Sequence, residues 1–231
     1  MNDLVENLHR IQSRVRAAAE RADRDPAEVR VIAVSKTMPA LRVEQAHAAG
    51  IREFGENRVQ EAAEKRALLP TLSPPPTWHL VGHLQSNKVK TALNLFDIIH
   101  SVDSVRLAEA IARLARKPVS VLLQVNVAGE ASKHGFTLQG AAQGNGSPEE
   151  LHEAFERICR LPMIQVEGLM TIAPLVSDPE EARPIFRRLR AERDALSLRH
   201  LSMGMTDDFE VAIAEGATMV RVGRAIFGER G

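Results

Sequence analysis

The chain is organised by a unit that repeats along it: a short run of β-branched and apolar residues, a turn, and then an amphipathic helix. Eight such units follow one another at spacings of about 20–40 residues. Strands that alternate with helices pair in parallel, because each helix returns the chain to the same end of the sheet. Eight units in 231 residues predict a closed (β/α)8 barrel, the TIM barrel. With one strand misassigned, the alternative is an open, doubly wound parallel sheet.

The elements follow from local patterns. Residues 1–24 predict an extra N-terminal helix, because Leu4, Leu8 and Ile11 share one face. No linker divides the rest, so we expect residues 1–231 to form a single domain. The predicted strands are residues 31–37, 53–57, 78–84, 97–102, 119–127, 165–172, 200–205 and 218–222.

Composition excludes several classes of function. The chain has 30 Lys and Arg against 30 Asp and Glu, so its net charge gives no attraction to nucleic acid or to an anionic membrane. No apolar run approaches the ~20 residues of a spanning helix, and the acidic N-terminus lacks the apolar segment of a secretory signal. We therefore expect a cytoplasmic protein. The single cysteine, Cys159, is expected to pack as a small apolar residue of a helix.

In a (β/α)8 barrel the ligand site lies at the C-terminal ends of the strands. Five residues stand at such ends and should meet on one face: Lys36, Asn57, His83, Thr206 and Gly223. Lys36 ends the apolar run 31–37. A lysine there is either an ordinary surface residue with its amine in water or, when partly desolvated, a nucleophilic amine.

The loops after the seventh and eighth predicted strands suggest a phosphate site. The first contains Gly204 and Thr206, and the second contains Gly223. Glycines let backbone N–H groups approach an anion, and threonine adds a hydroxyl group. The alternative is that the glycines only relieve crowding at the barrel rim.

Arg221 precedes Gly223 by two residues, so it points to the same side of its strand but lies deeper in the barrel. A buried guanidinium must be hydrogen-bonded or paired. Its partner is therefore either a bound ligand or a carboxylate such as Glu53 or Glu56.

Two histidines, His79 and His83, share one side of the third predicted strand. They could form part of a metal site, but no third ligand is apparent near them in the sequence. We therefore interpret them as core or rim histidines and predict no metal.

An amine, a phosphate site and an arginine at one barrel mouth suggest a ligand with a carbonyl group and a phosphate. Pyridoxal 5′-phosphate meets these requirements, with Lys36 forming a Schiff base and Arg221 facing the ring nitrogen. A phosphosugar handled by a Schiff-base aldolase would fit the amine and the phosphate site equally well. The residues alone leave both open.

Six segments, spread over nearly the whole chain, resemble the pyridoxal phosphate homeostasis proteins. That family is similar to the barrel domain of bacterial alanine racemase standing alone. The segments are residues 34–37 (VSKT), 54–61 (FGENRVQE), 78–88 (WHLVGHLQSNK), 168–172 (GLMTI), 201–209 (LSMGMTDDF) and 220–228 (VRVGRAIFG).

The resemblance implies that pyridoxal 5′-phosphate is bound on Lys36, with Asn57 near the ring hydroxyl and Arg221 at the pyridine nitrogen. It also implies a role in the intracellular supply of the cofactor, with enzymes that lack their pyridoxal phosphate as recipients.

For the phosphate, the resemblance implies contacts from Thr206, Gly223 and Arg224. Arg224 stands where a small hydroxyl residue is expected, which suggests that only its backbone contacts the phosphate. The glycine-rich loop at residues 140–148 is longer than is usual in the family.

Racemisation of an amino acid needs an acid–base group on each face of the α-carbanion. In the racemases that this barrel resembles, a lysine supplies one and a tyrosine from a second domain of the partner subunit supplies the other. This sequence contains no tyrosine, and we expect no second domain. Because arginine keeps its proton, Arg221 would not protonate the ring nitrogen. We predict a monomeric carrier with little or no catalysis; the alternative is a racemase of the alanine racemase type that uses His83 or another rim group as second base.

Overall fold

Nine parallel strands are present in the computed structural model, which describes residues 2–69, 71–130, 133–138 and 147–228. Eight of them pair side by side around a closed ring, and β6 is a two-residue addition to β5. The strands are β1 (Arg30–Val34), β2 (Glu53–Glu56), β3 (Thr77–Leu80), β4 (Ile98–Val102), β5 (Val119–Asn126), β6 (Phe136–Thr137), β7 (Ile164–Met170), β8 (His200–Ser202) and β9 (Met219–Val222).

The ring closes because β1 pairs with both β2 and β9, and β4 pairs with β5. Its order is β1-β2-β3-β4-β5-β7-β8-β9. The predicted (β/α)8 barrel is confirmed, and the open sheet is excluded because the ring has no free edge. Since all the strands are parallel, their C-terminal ends form one mouth.

The predicted extra N-terminal helix, α1, lies against the last two helices. Arg14 pairs with Glu210 of α8 at 3.2 Å, and Asn7 donates a hydrogen bond to the carbonyl of Ile226 in α9. Of the helices described, none combines the length and apolar character needed to cross a membrane. The α-helices are α1 (Asn2–Arg21), α2 (Ala40–Ala48), α3 (Val59–Leu68), α4 (Val89–Leu95), α5 (Val105–Leu114), α6 (Pro148–Cys159), α7 (Arg183–Ala195), α8 (Phe209–Ala214) and α9 (Arg224–Phe227).

Several predicted strands end earlier than expected, and the first ends at Val34 instead of residue 37. The third ends at Leu80 instead of residue 84. Beyond its end the backbone passes close to that of Asn57: a Cβ at Gly82 would lie 2.2 Å from the backbone oxygen of Asn57. The seventh ends at Ser202 instead of residue 205, because the chain turns at Gly204 with φ +91°. These two turns form part of the mouth.

The expectation for Cys159 is wrong: its side chain is exposed. The buried face of α6 is formed by Leu151, Ala154 and Ile158, and Cys159 stands one position beyond that face. Of the predicted loop at 140–148, residues 140–146 lie outside the described residues. Ser147 caps α6 by accepting a hydrogen bond from the backbone N–H of Glu150 at 3.3 Å.

The interior of the barrel differs in composition from the layer outside it. Most buried apolar side chains fill the layer between the strands and the helices. The lumen holds a separate apolar cluster of Ile32, Leu122, Met170 and Met219. Beside it lie buried polar side chains, which must find hydrogen-bond partners inside the barrel.

Gly168 sets the spacing between β7 and β8. A Cβ at this position would lie 2.1 Å from the carbonyl oxygen of His200, which is a backbone atom that cannot move aside. We expect Gly168→Ala to lower the free energy of unfolding by about 3 kcal/mol, measured by urea denaturation. Gly50→Ala is the matched control: the site is open but has φ +102°, so it should cost only about 1 kcal/mol. Equal losses at the two sites would contradict the steric argument.

Candidate functional site

Lys36 lies two residues beyond the end of β1, at the mouth, and its side chain is exposed. Its amine makes no hydrogen bond or ion pair with the residues described. Val34 is in register with Gly55, which brings Lys36 level with Asn57. A Cβ at Gly223 would lie 3.1 Å from the carbonyl oxygen of Val34. Lys36, Asn57 and Gly223 therefore meet on one side of the mouth, as predicted.

The backbone on both sides of Lys36 is held by hydrogen bonds. The N–H of Ser35 donates to the carbonyl of Gly55 at 2.9 Å, and its hydroxyl donates to Oε1 of Glu56 at 2.7 Å. Thr37 has φ +65° and donates its N–H to a carboxylate oxygen of Glu61. The free amine is thus carried by a fixed turn.

A buried ion pair lies beneath this turn, between β2 and α3. Lys65 donates to the carbonyl of Ser35 at 2.7 Å and to Oε1 of Glu56, and it contacts Glu61 at 3.2 Å. Oε2 of Glu56 is buried and has no hydrogen-bond partner within the described part of the chain. Burial raises the pKa of Glu56, while the ammonium of Lys65 acts against that rise.

The sequence reasoning did not identify Lys65, although a signal was present. Val59, Ala62 and Lys65 recur every three residues on α3, and all three are buried. A lysine in an apolar register requires a buried counter-charge, and Glu56 is that charge.

The two loops of the predicted phosphate site lie next to each other. Arg224 is exposed, and its Nη2 donates to Asp207 at 2.8 Å, which links the loop after β8 to the end of β9. Thr206 lies in that first loop and is half-buried. Because the guanidinium of Arg224 is turned to a carboxylate, a backbone contact with phosphate remains the prediction for this residue.

Gly204 allows its loop to pack closely against α8. With φ +91°, a Cβ there would lie 2.6 Å from the Cβ of Ala212 and 2.9 Å from the Cα of Phe209. The crowding alternative therefore holds for Gly204, whose backbone lies against α8.

Arg221 is buried one layer below the mouth and bonds only to neutral groups. Its Nη1 donates to the carbonyl and the hydroxyl of Ser202, both at 2.7 Å, and its Nη2 donates to the carbonyl of Thr171 at 2.7 Å. The predicted alternative of an ion pair with Glu53 or Glu56 is wrong, because those carboxylates are bonded to other side chains. Burial lowers the pKa of Arg221 to about 10, so the guanidinium stays charged at neutral pH.

His79 is a core histidine, as predicted. It is fully buried, with Nε2 2.5 Å from Oε2 of Glu53 and Nδ1 2.9 Å from Nε2 of His100. The sequence reasoning missed His100, which lies in β4 and faces the lumen. Burial lowers its pKa well below 6.5, and nearby His79, Arg221, Arg30 and His200 act in the same direction.

His83 lies at the rim with two partners that the sequence did not indicate. Its Nδ1 is 3.1 Å from a carboxylate oxygen of Asp103, and its ring stacks on that of His134 with centroids 4.1 Å apart. One ligand atom from each of the three lies within 4.8 Å of the others. The expectation that no third ligand lies near His83 is therefore wrong: Asp103 follows β4 and His134 precedes β6. The bond to Asp103 orients the imidazole without a metal.

The comparisons with known proteins agree on one family. A family model described as alanine racemase, N-terminal domain, matches residues 7–231. A pyridoxal phosphate homeostasis protein of Pseudomonas aeruginosa is 43% identical, with 100% of this chain and 97% of that protein aligned. The protein of that name from Escherichia coli is 38% identical, over 100% of this chain and 98% of the other.

Solved structures show the same fold. PipY of Synechococcus elongatus without PLP is 40% identical, with a TM-score of 0.84 over 97% of this chain and 100% of PipY. PipY with PLP bound is 39% identical, with a TM-score of 0.79 over the same shares. An alanine racemase of Clostridium difficile is 15% identical, with a TM-score of 0.68 over 100% of this chain and 57% of the racemase; it is similar in fold.

The buried pair beneath Lys36 can be tested by mutation. We expect Lys65→Met to lower the free energy of unfolding by about 3–5 kcal/mol, because it leaves the Glu56 carboxylate buried without its cation. Lys90→Met, which changes an exposed lysine of α4, is the matched control and should change it by less than about 0.5 kcal/mol. Urea denaturation measures both, and similar losses would contradict the role of the pair.

Stability should also depend on pH through the buried histidines. His100 stays neutral in the folded protein, whereas in the unfolded chain its pKa returns to about 6.5. The unfolded chain therefore binds more protons below that pH, and the free energy of unfolding falls on acidification by up to about 1.4 kcal/mol per pH unit. His200, whose pKa burial lowers to about 4, acts in the same direction.

Urea denaturation at pH 7, 6 and 5 measures this slope. His100→Gln removes the titrating group and should flatten the slope, whatever its effect on stability at pH 7. An unchanged slope in that variant would contradict the assignment.

Proposed function

The chain belongs to the family of pyridoxal phosphate homeostasis proteins, and we propose that it holds pyridoxal 5′-phosphate as a Schiff base on Lys36 and takes part in the intracellular supply of that cofactor. Support comes from PipY, a relative whose structure contains bound PLP. In this protein the observation that carries the proposal is the pairing of an exposed amine at the mouth with a buried guanidinium one layer below, which hydrogen-bonds to neutral groups among the described residues.

The residues present fit this cofactor. Imine formation needs an accessible amine without a strong partner, and the amine of Lys36 has none among the described residues. Arg221 uses three of its five N–H groups on Ser202 and Thr171. The remaining N–H groups, with no protein partner in the described part of the chain, could donate to the ring nitrogen.

The other contacts follow from the same arrangement. We assign Asn57, level with Lys36, to the side of the ring hydroxyl. We assign the phosphate to Thr206, Gly223 and the backbone of Arg224, whose two loops are joined by the bond from Arg224 to Asp207. The ligand would then span the mouth from β2 to β9.

When bound, the cofactor supplies an electron sink for charge at the α-carbon of an amino acid. Arg221 limits that function, because a guanidinium that keeps its proton donates a hydrogen bond to the ring nitrogen without protonating it. The sequence also contains no tyrosine to act as a second base. We therefore propose a carrier with little or no catalysis, acting as a monomer and supplying enzymes that lack the cofactor.

A racemase is the second candidate, and the observation that favours it is His83. A carboxylate 3.1 Å from Nδ1 orients its imidazole at the rim, as a general base requires. Its ring lies in the lining of a cleft of about 270 Å³ that also includes Asn57, Gln124, Asn126 and Lys133.

The Schiff base can be tested directly. The purified protein incubated with pyridoxal 5′-phosphate should develop a visible absorption band, and borohydride should trap the cofactor on the peptide that contains Lys36. In Lys36→Ala both signals should be lost. Lys133→Ala, a lysine of the same mouth, is the matched control and should keep them. A trapped band in Lys36→Ala would refute the assignment.

The two candidate functions differ in whether the protein exchanges the α-hydrogen of an amino acid with solvent. In deuterated water, the carrier should leave L-alanine without deuterium at the α-carbon, as measured by NMR. Cofactor-dependent exchange with inversion would refute the carrier. If that exchange is lost in His83→Gln, the racemase candidate is the correct one.

A further inference from the structure

An unbroken chain of hydrogen bonds crosses the lumen from the bottom of the barrel to Arg221. Glu53 begins β2 at the end opposite the mouth, and its carboxylate lies 2.5 Å from Nε2 of His79. Nδ1 of His79 lies 2.9 Å from Nε2 of His100, and Nδ1 of His100 lies 2.9 Å from the hydroxyl of Ser202. That hydroxyl accepts from Arg221 at 2.7 Å.

The direction of every bond in this chain follows from its two ends. A guanidinium only donates, so the hydroxyl of Ser202 must accept from Arg221 and donate its own proton to Nδ1 of His100. Neutral His100 then carries its proton on Nε2 and donates to Nδ1 of His79. His79 in turn donates from Nε2 to the carboxylate of Glu53. In the opposite direction, the hydroxyl of Ser202 would accept from both Arg221 and His100, and its own buried proton would have no acceptor among the side chains it contacts.

The burial of the side chains in the hydrogen-bond chain supports this order of protons. His79, His100 and Ser202 are fully buried, so water cannot replace a missing partner. The pKa of His100 lies well below its ordinary value, which agrees with the neutral imidazole that the order requires. The chain therefore has one low-energy arrangement of protons.

The chain also accounts for the charge of Arg221. Among the described residues the guanidinium forms no ion pair, although the nearby carboxylate of Asp208 acts to raise its pKa, and the carboxylate of Glu53 ends the hydrogen-bond chain. Each group between the two ends turns its donor toward Glu53 and its acceptor toward Arg221. The dipoles of the chain are thus aligned to stabilise a buried cation at one end and an anion at the other.

We propose that Glu53, His79, His100 and Ser202 are positioning residues that hold the guanidinium of Arg221 against the ring nitrogen of the cofactor and prevent protons from reaching that nitrogen through the lumen. A proton entering at Glu53 would have to reverse both imidazoles and the hydroxyl, and would then meet a guanidinium that cannot accept it. The identity of the ligand in this inference rests on the proposed function. The order of the protons along the hydrogen-bond chain does not depend on it.

The order of the protons can be measured without any cofactor. In protein labelled with 15N at histidine, two-dimensional NMR distinguishes the two neutral forms of each imidazole. We expect His79 and His100 to carry the proton on Nε2 at neutral pH. A proton on Nδ1 of His100, or a doubly protonated ring, would overturn the proposal even if pyridoxal 5′-phosphate binds.

The effect on the cofactor is tested with variants that interrupt the hydrogen-bond chain. Ser202→Ala removes the link to Arg221 and should weaken binding of pyridoxal 5′-phosphate about tenfold and shift the visible band of the bound cofactor. Ser202→Thr, which keeps the hydroxyl, should restore both. Ser101→Ala is the matched control: Ser101 is equally buried, but its hydroxyl has no hydrogen-bond partner among the residues that the structure describes, and both measurements should stay unchanged.

The outcomes separate the two proposals. Folded Ser202→Ala with the affinity and band of the parent would overturn the positioning role. If Ser202→Ala does not fold, Glu53→Gln, at the partly exposed end of the chain, should weaken binding because it removes the compensating charge, and unchanged affinity and band there would overturn the role as well. If the parent protein binds no pyridoxal 5′-phosphate, the proposed function fails, and the positioning role fails with it, while the proton order stands or falls on the NMR result.

Discussion

The buried charge of Arg221 is the constraint on which much of this barrel depends. A guanidinium in the interior needs acceptors at fixed positions, since leaving such a cation unbonded costs several kcal/mol. The carbonyls of Thr171 and Ser202 are two of these acceptors. Both stand just past or at the ends of neighbouring strands, and Met170 is in register with Ser202. The close approach of β7 to β8 at Gly168 is thus part of how the arginine is held.

A second buried cation lies on the other side of the barrel wall. Lys65 bonds to the carbonyl of Ser35 and to Glu56, between the strands and α3. The two cations differ in their surroundings: a carboxylate touches Lys65, whereas Arg221 is hydrogen-bonded to neutral oxygens. Lys36 is exposed at the mouth, and its amine has no partner among the described residues.

The sequence was sufficient to predict features that local patterns determine. The alternation of strands and helices predicted the closed barrel, and strand ends predicted that Lys36, Asn57 and Gly223 would meet. Features that depend on contacts between distant strands could not be predicted. In the sequence, His100 is one of two adjacent polar residues in an otherwise apolar strand, and the closed ring brings it to His79 and Ser202. The partners of His83 and the true partners of Arg221 were missed for the same reason.

The lumen also bears on why a racemase-like barrel would serve as a carrier. Catalysis requires interactions that strengthen in the transition state, and here that would mean charge moving into the cofactor ring. The chain from Glu53 to Arg221 is ordered before any ligand arrives, and its last member cannot exchange its proton with the ring. Such a site stabilises the bound cofactor in its resting state and gives little extra stabilisation to a carbanion. Under the proposed function, this preorganised lumen is suited to retention of the cofactor.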